Sequence, residues 1–247
     1  MKKIVFTSGL PRSGSTLLSA ILNQNPRFRA NVSVPIRQIF DMIIDITSSP
    51  GNNQKCFDEN LDDILRSILD TFHQGDCVHF NHNRFWTSRT ELLEKLYPDY
   101  KIIITVRDIP WILDSLERLG KKNPNHKPVY ASIYHASNIY TRCDEYMNNL
   151  IWNPYISLKE IINKNISNAM IVEYDALVYN PDIIMKSIYN HINEPYFEHD
   201  FFNITNIKDY EYFDSDININ MPGLHSLRKQ VYKEERNIII PQDIIDK

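Results

Sequence analysis

Gly9-Leu10-Pro11-Arg12-Ser13-Gly14-Ser15-Thr16 follows directly on the apolar run Ile4-Val5-Phe6, which reads as a strand, a tight loop and a helix start. Backbone N–H groups at such a turn, and at the N-terminus of the helix after it, converge on negative charge and suit a phosphate or sulfate. A Walker A loop needs Lys between Gly14 and Thr16. Here Ser15 stands there, and the cation comes earlier, at Arg12. An ordinary Gly/Ser turn accounts for the flexibility but not for the isolated Arg. A second group of residues lies in Val106-Arg107-Asp108-Ile109-Pro110-Trp111-Ile112-Leu113-Asp114-Ser115. Arg107 leaves the end of an apolar run and Ser115 lies inside the helix that Pro110 opens. A guanidinium and a hydroxyl at that rim can share a terminal phosphate.

The elements that must position these groups follow from periodicity. Leu17, Leu18, Ile21 and Leu22 have helical spacing within 16–24, and Asn25-Pro26 stops the run. A helix is expected from Pro35 through Ile46, followed by the loop 48–53, and another over 60–72 with Leu61, Ile64, Leu65, Ile68 and Leu69 on one face. Residues 77–80 form a short buried strand, and Thr87 caps a helix to about Leu96. Residues 101–106 make the strongest strand, 110–119 a helix, and 120–128 a polar loop. Helical patterns over 132–150 and 157–163 are separated near Asn153-Pro154. A strand at 169–172, a short helix or turn from Glu173, and a helix over 181–192 come next. Strand–helix alternation requires a mostly parallel sheet with helices on both faces, and positions 107–115 then sit at the strand ends where open α/β sheets bind ligands. The expectation is an α/β, P-loop-like single domain over 1–247, with 120–130 and 194–225 as loop-rich segments.

Two separated phosphate grips resemble the sulfotransferase family, whose donor is 3′-phosphoadenosine 5′-phosphosulfate (PAPS). The family's 5′-phosphosulfate loop is matched by Pro11-Arg12-Ser13-Gly14-Ser15-Thr16, and its 3′-phosphate pair, an Arg with a Ser eight residues later, by Arg107 and Ser115. Arg in the loop is similar to the tyrosylprotein and the bacterial or viral branches. Residues 172–181 resemble a segment that follows a late core strand in many members. Pro222-Gly223-Leu224-His225-Ser226-Leu227-Arg228-Lys229 is similar to the basic segment that closes over the donor, which makes Arg228 a further 3′-phosphate ligand and Lys229 a weaker one. The resemblance implies sulfuryl transfer from PAPS to a hydroxyl, leaving adenosine 3′,5′-bisphosphate, with no essential metal. Gly9 and residues 11–16 would hold the 5′-phosphate, and Arg12 would act on the donor bridge.

The acceptor needs a proton taken from its hydroxyl. Cytosolic members place a His just after the strand that precedes the 3′-phosphate strand, and His82 in Phe80-Asn81-His82-Asn83-Arg84 occupies a comparable place. The tyrosylprotein branch uses a Glu after the first helix, but residues 30–34 here contain no acid. Asp41, Asp76, His79 and His225 therefore stay open beside His82. Trp86 and Trp111 are open as adenine or acceptor contacts, or as buried packing.

The formal charge of −4 disfavours a polynucleotide partner but allows a small basic pocket. The eight histidines form no HExxH or Cys/His zinc pattern. Cys56, Cys77 and Cys143 form no CxxC pair and leave one unpaired in any disulfide scheme. The apolar run before Pro11 is too short for a signal-peptide core, and no window reaches the roughly 20 apolar residues that span a bilayer. A cytoplasmic protein without a membrane or nucleic-acid partner is the expectation. Its acceptor is a hydroxyl-bearing small molecule, a glycan or a peptide tyrosine. The alternatives are a Mg-dependent nucleotide kinase or NTPase, and a non-catalytic nucleotide- or glycan-binding protein.

Overall fold

The computed structural model describes residues 3–32, 34–49, 55–125, 138–204 and 222–246. Strands β1 (Lys3–Gly9), β2 (Phe28–Ala30), β3 (Val78–His82), β4 (Lys101–Val106) and β5 (Ala169–Glu173) form one sheet in the order β2-β3-β1-β4-β5. Every neighbouring pair is parallel. The helices between them are α1 (Ser15–Leu22), α2 (Ile36–Ser48), α3 (Lys55–Phe72), α4 (Thr90–Leu96), α5 (Ile109–Lys122), α6 (Ile139–Tyr146) and α7 (Trp152–Lys164). After β5 come α8 (Tyr174–Tyr179), α9 (Pro181–His191) and, near the end, α10 (Gln242–Ile245). The expected α/β architecture with a parallel central sheet is therefore the observed one.

Because successive strand residues face opposite sides, the apolar runs feed two cores. Val5, Phe80, Ile103 and Val172 pack on one face with Leu18 and Ile21 of α1 and Met185 of α9. Phe6, Ile102 and Ile104 pack on the other with Phe40 of α2, Leu65 of α3 and Trp86. Trp86 is fully buried, with its indole N–H donating to Asn81 Oδ1 at 2.9 Å, so it belongs to the core.

Several elements differ from the sequence reading for local reasons. The edge strand β2 is only three residues long, too short to show an alternating pattern. Strand β3 runs on to His82, which is thus its last residue and not a loop residue after it. A 3₁₀ turn at Trp86–Ser88 precedes α4, and Thr87 does not cap it. Helix α5 continues past Gly120 to Lys122, taking the first residues of the expected loop, whose remainder from 126 lies outside the described residues. Pro154 does not separate two helices. It sits in the first turn of α7, where its missing N–H costs little, and the preceding Met147–Ile151 turn is π-helical, with Trp152 N–H reaching Met147 five residues back. Residues 132–137 and 205–221, which the sequence reading covered, lie outside the described residues.

Candidate active site

The β1–α1 loop is shaped by two glycines. Gly9 pairs with Thr105 across the sheet, and a Cβ on it would lie 2.2 Å from the Thr105 carbonyl oxygen. Gly14, at φ +95°, is the N-cap of α1. No side chain caps that end, which leaves the first N–H groups of α1 without a side-chain acceptor. A Cβ there would lie 2.6 Å from the Tyr174 ring. Ser13 is fully buried: its Oγ donates to the Leu10 carbonyl at 2.6 Å and shares a 2.7 Å hydrogen bond with Thr105 Oγ1, fastening the loop to β4. Ser13 thus shapes the loop from below, while Pro11, Gly14, Ser15 and Thr16 line the cavity above it.

Register explains the second group. Val106 is paired with Glu173, so the next residues, Arg107 and Tyr174, leave neighbouring strand ends side by side. The Arg107 guanidinium lies 4.0 Å from the Tyr174 ring centre and 5.2 Å from that of Trp111. Its Nη1 donates to the Arg12 carbonyl at 3.4 Å, while its Nε is buried without a hydrogen-bond partner. Burial lowers the Arg107 pKa from the usual arginine value, and nearby Arg236 adds to that. Arg12, itself at φ +57°, donates from Nε to Ser115 Oγ at 3.0 Å and from Nη1 to the Leu224 carbonyl. One side chain from the first group and one from the second are therefore in direct contact, at a cavity of about 930 Å³ at the carboxyl ends of β1, β3 and β4.

Arg228 reaches this cavity from the C-terminal segment and pairs with Glu234. Burial opposes its charge, but the Glu234 carboxylate prevails and raises its pKa. The sequence reading missed Arg236, which also lines the cavity. Its Nη2 lies 2.7 Å from Asp114, its Nη1 2.9 Å from Glu234, and its guanidinium 5.3 Å from the Trp111 ring centre. Asp114 is a fully buried carboxylate that also accepts from Arg118 Nε at 3.0 Å and from the Ile239 N–H at 2.9 Å. In sequence Lys233-Glu234-Glu235-Arg236 looks like a solvated charge run. Only the buried Asp beside Ser115 hints at a distant cation.

His82, the last residue of β3, also lines this cavity. The β1–β3 register sets it opposite Thr7, whose Oγ1 is 3.1 Å from His82 Nδ1. Desolvation by burial, then the charges of Arg84 and His225, push its pKa down to about 3, so the ring is neutral at ordinary pH. His225 lines the same cavity. Asp41 does not: it pairs with Arg37 at 2.5 Å and Arg89 at 2.9 Å. Asp76 and His79 line a different groove, near the amino end of β3. Of the five candidates left open by the sequence, Asp41, Asp76 and His79 do not line this cavity, and His82 and His225 do.

A parallel α/β sheet with an uncapped helix N-terminus and converging guanidiniums at its strand ends is the kind of site that suits a polyanionic ligand. Residues 5–198 match the model of the Sulfotransferase family, and the chain belongs to that family. It is 24% identical over 203 residues to protein-tyrosine sulfotransferase 1 of Danio rerio, covering 78% of this chain and 54% of the relative. It is 25% identical over 198 residues to protein-tyrosine sulfotransferase 2 of Gallus gallus, covering 75% of this chain and 49% of that one. The chain thus spans about half the length of these relatives. Among solved structures, the sulfotransferase domain of a Synechococcus olefin synthase superposes with a TM-score of 0.57 at 15% identity, covering all of this chain and 92% of that one. Mouse sulfotransferase SULT7A1, solved with adenosine 3′,5′-bisphosphate (PAP), superposes at 0.51 and 10% identity, covering 97% and 75%. These structures share the fold.

The comparisons also correct one expectation. The cytoplasmic placement is overturned, because the curated relatives that the chain matches are protein-tyrosine sulfotransferases. Among the described residues no helix is long and apolar enough to cross a membrane, a fact that carries no information about compartment.

Proposed function

We propose that this chain transfers a sulfuryl group from PAPS to a hydroxyl. The observation that carries the reading is the contact between Arg12 Nε and Ser115 Oγ, which joins the 5′-phosphosulfate loop to the 3′-phosphate pair at one cavity. The loop 11–16, shaped by Gly9 and Ser13, holds the 5′-phosphosulfate on the backbone N–H groups of Gly14, Ser15 and Thr16, with the uncapped α1 N-terminus favouring its charge. Arg107, Ser115 and Arg228 take the 3′-phosphate, and the buried unpaired Nε of Arg107 supplies a donor that needs an acceptor. Arg12 stabilises the negative charge that grows on the bridging oxygen as the sulfur–oxygen bond to the donor breaks.

The acceptor oxygen forms a new bond to sulfur while its proton passes to His82. Because Nδ1 faces Thr7 Oγ1, Nε2 is the nitrogen left for the cavity. Desolvation and neighbouring cations hold the free ring unprotonated and ready, though weakly basic. The donor's negative charge offsets those cations and raises the ring's basicity when it arrives. The relatives' name makes a peptide tyrosine the first acceptor to assay, ahead of sugars and small alcohols.

Calorimetric titration with adenosine 3′,5′-bisphosphate, adenosine 5′-monophosphate and Mg-ATP tests the reading. Preference for the bisphosphate supports it. Preference for Mg-ATP replaces it with the kinase or NTPase alternative. With [³⁵S]PAPS and a tyrosine peptide, Arg12→Ala should lose both binding and transfer. His82→Ala should keep binding and lose transfer, and unchanged transfer would move the base to His225.

A further inference from the structure

Glu234 sets a carboxylate among the guanidiniums at one end of the cavity. It pairs with Arg228 Nη2 and lies 2.9 Å from Arg236 Nη1, and all three residues line the cavity. Structural neutralisation of Arg236 does not require it, because the fully buried Asp114 already holds the other Nη at 2.7 Å. Asp114 is further committed to Arg118 and to the Ile239 N–H, as a fixed counter-charge is. Glu234 differs: its side chain is 35% exposed and has those two guanidiniums as its ion-pair partners. Burial would raise its pKa, but Arg228 and Arg236 hold it lower, so it stays ionised.

Two further donors face the same end without an acceptor. The Nε atoms of Arg107 and Arg236 are buried and have no hydrogen-bond partner, and both guanidiniums flank Trp111. Three arginines thus surround a place where one partly exposed carboxylate satisfies only part of the available N–H groups. A phosphate brings more oxygens and more charge to such a fork than a carboxylate does. We propose that Glu234 is an internal stand-in for the 3′-phosphate of the donor: it holds Arg228 and Arg236 in the free protein and is displaced when that phosphate binds. The inference rests on the donor-site reading above. Its consequence is that Glu234 competes with donor and bisphosphate product alike, weakening both and hastening product departure.

The test compares wild type, Glu234→Gln and Glu234→Ala, each checked for an unchanged melting curve. Adenosine 3′,5′-bisphosphate and adenosine 5′-monophosphate are titrated calorimetrically, and bisphosphate dissociation is followed by stopped flow. Removing one solvent-screened like charge should tighten bisphosphate binding by roughly five-fold and slow its dissociation correspondingly. The monophosphate, which lacks the 3′ group, should change by less than about two-fold. Bisphosphate binding that is unchanged or weaker in both variants overturns the inference and makes Glu234 a positioning group for Arg228. Equal tightening of both nucleotides also overturns it, since the carboxylate would then repel anions generally. If wild type fails to prefer bisphosphate over monophosphate, the donor-site reading itself falls, a result separate from any difference between variants.

Discussion

Replacing His82 by Asn removes one titration from the folded protein while keeping a polar atom near Thr7 Oγ1. The His82 pKa lies near 3 in the fold against an ordinary 6.5. Above pH 6.5 neither the folded nor the unfolded ring holds a proton, so His82 contributes nothing to pH dependence there. As pH falls below 6.5 the unfolded ring gains a proton that the folded ring refuses, and stability drops until pH nears the folded value. The slope is about 1.4 kcal/mol per pH unit, so pH 5.0 costs about 2 kcal/mol relative to pH 7.5, an upper value for a ring that water partly reaches. Urea unfolding of both proteins at the two pH values, followed by tryptophan fluorescence, measures this. Wild type should lose 1–2 kcal/mol more than His82→Asn, by about that arithmetic. His199 and His191, whose pKa values burial also lowers, are present in both proteins and cancel in the difference. Equal pH dependence would refute the account of a desolvated, cation-flanked imidazole. The same account has a catalytic corollary: His82 is already unprotonated at pH 6 in the free protein, so acid should not lower kcat/KM through this ring until well below that.

Arg107→Lys keeps the charge but loses the planar stack on Tyr174 and the directed N–H groups, and bisphosphate affinity should fall by about ten-fold or more while monophosphate affinity changes little. Calorimetry with the two nucleotides checks it. Gly14→Ala forces a Cβ to within 2.6 Å of the Tyr174 ring at φ +95°. That should cost about 1–3 kcal/mol of strain and weaken bisphosphate binding, read by thermal melts and titration. Arg142→Leu strips the partner, at 2.6 Å, of the nearly fully buried Glu117. Leaving that carboxylate unpaired should destabilise the protein by about 3 kcal/mol in urea, and the double variant with Glu117→Gln should recover part of the loss.

The parallel sheet was legible because β1 and β4 are buried on both sides and therefore read as unbroken apolar runs, Ile4–Phe6 and Ile102–Ile104. The loop 9–16 was legible for a different reason: Gly9 and Gly14 meet Thr105 and Tyr174 too closely for any side chain, so chemistry of the backbone is written in residue type. Arg107 and Ser115 were legible through spacing along a single strand–helix unit. Arg236 was not, since its partner Asp114 lies in a distant part of the chain; nor was the Glu234–Arg228 pair, whose six-residue spacing falls in a segment without helix or strand, where no period links side chains. His82 could be singled out as a candidate, but its partner Thr7 and the low basicity that burial imposes depend on the β1–β3 register, which no local pattern fixes. The three-residue β2 and the π turn before Pro154 were hidden because each is shorter than the window over which a period can be counted.

A chain with a formal charge of −4 that gathers Arg12, Arg84, Arg107, Arg228 and Arg236 around one cavity has to keep those cations from repelling one another before any anion arrives. The fold does so unevenly. Asp114, fully buried and held by a backbone N–H, supplies a permanent counter-charge beneath the site. Tyr174 and Trp111 offer ring faces to Arg107 where a second carboxylate would have neutralised it, so its charge stays available. Arg12 donates to the neutral acceptors Ser115 Oγ and the Leu224 carbonyl. Full neutralisation by buried carboxylates would have given a stable but closed network, because an incoming phosphate would then have to break several charge-assisted bonds at once. Ring faces hold Arg107 in place while leaving much of its attraction for the ligand, and Glu234 is the exposed carboxylate through which the attraction of Arg228 and Arg236 is trimmed.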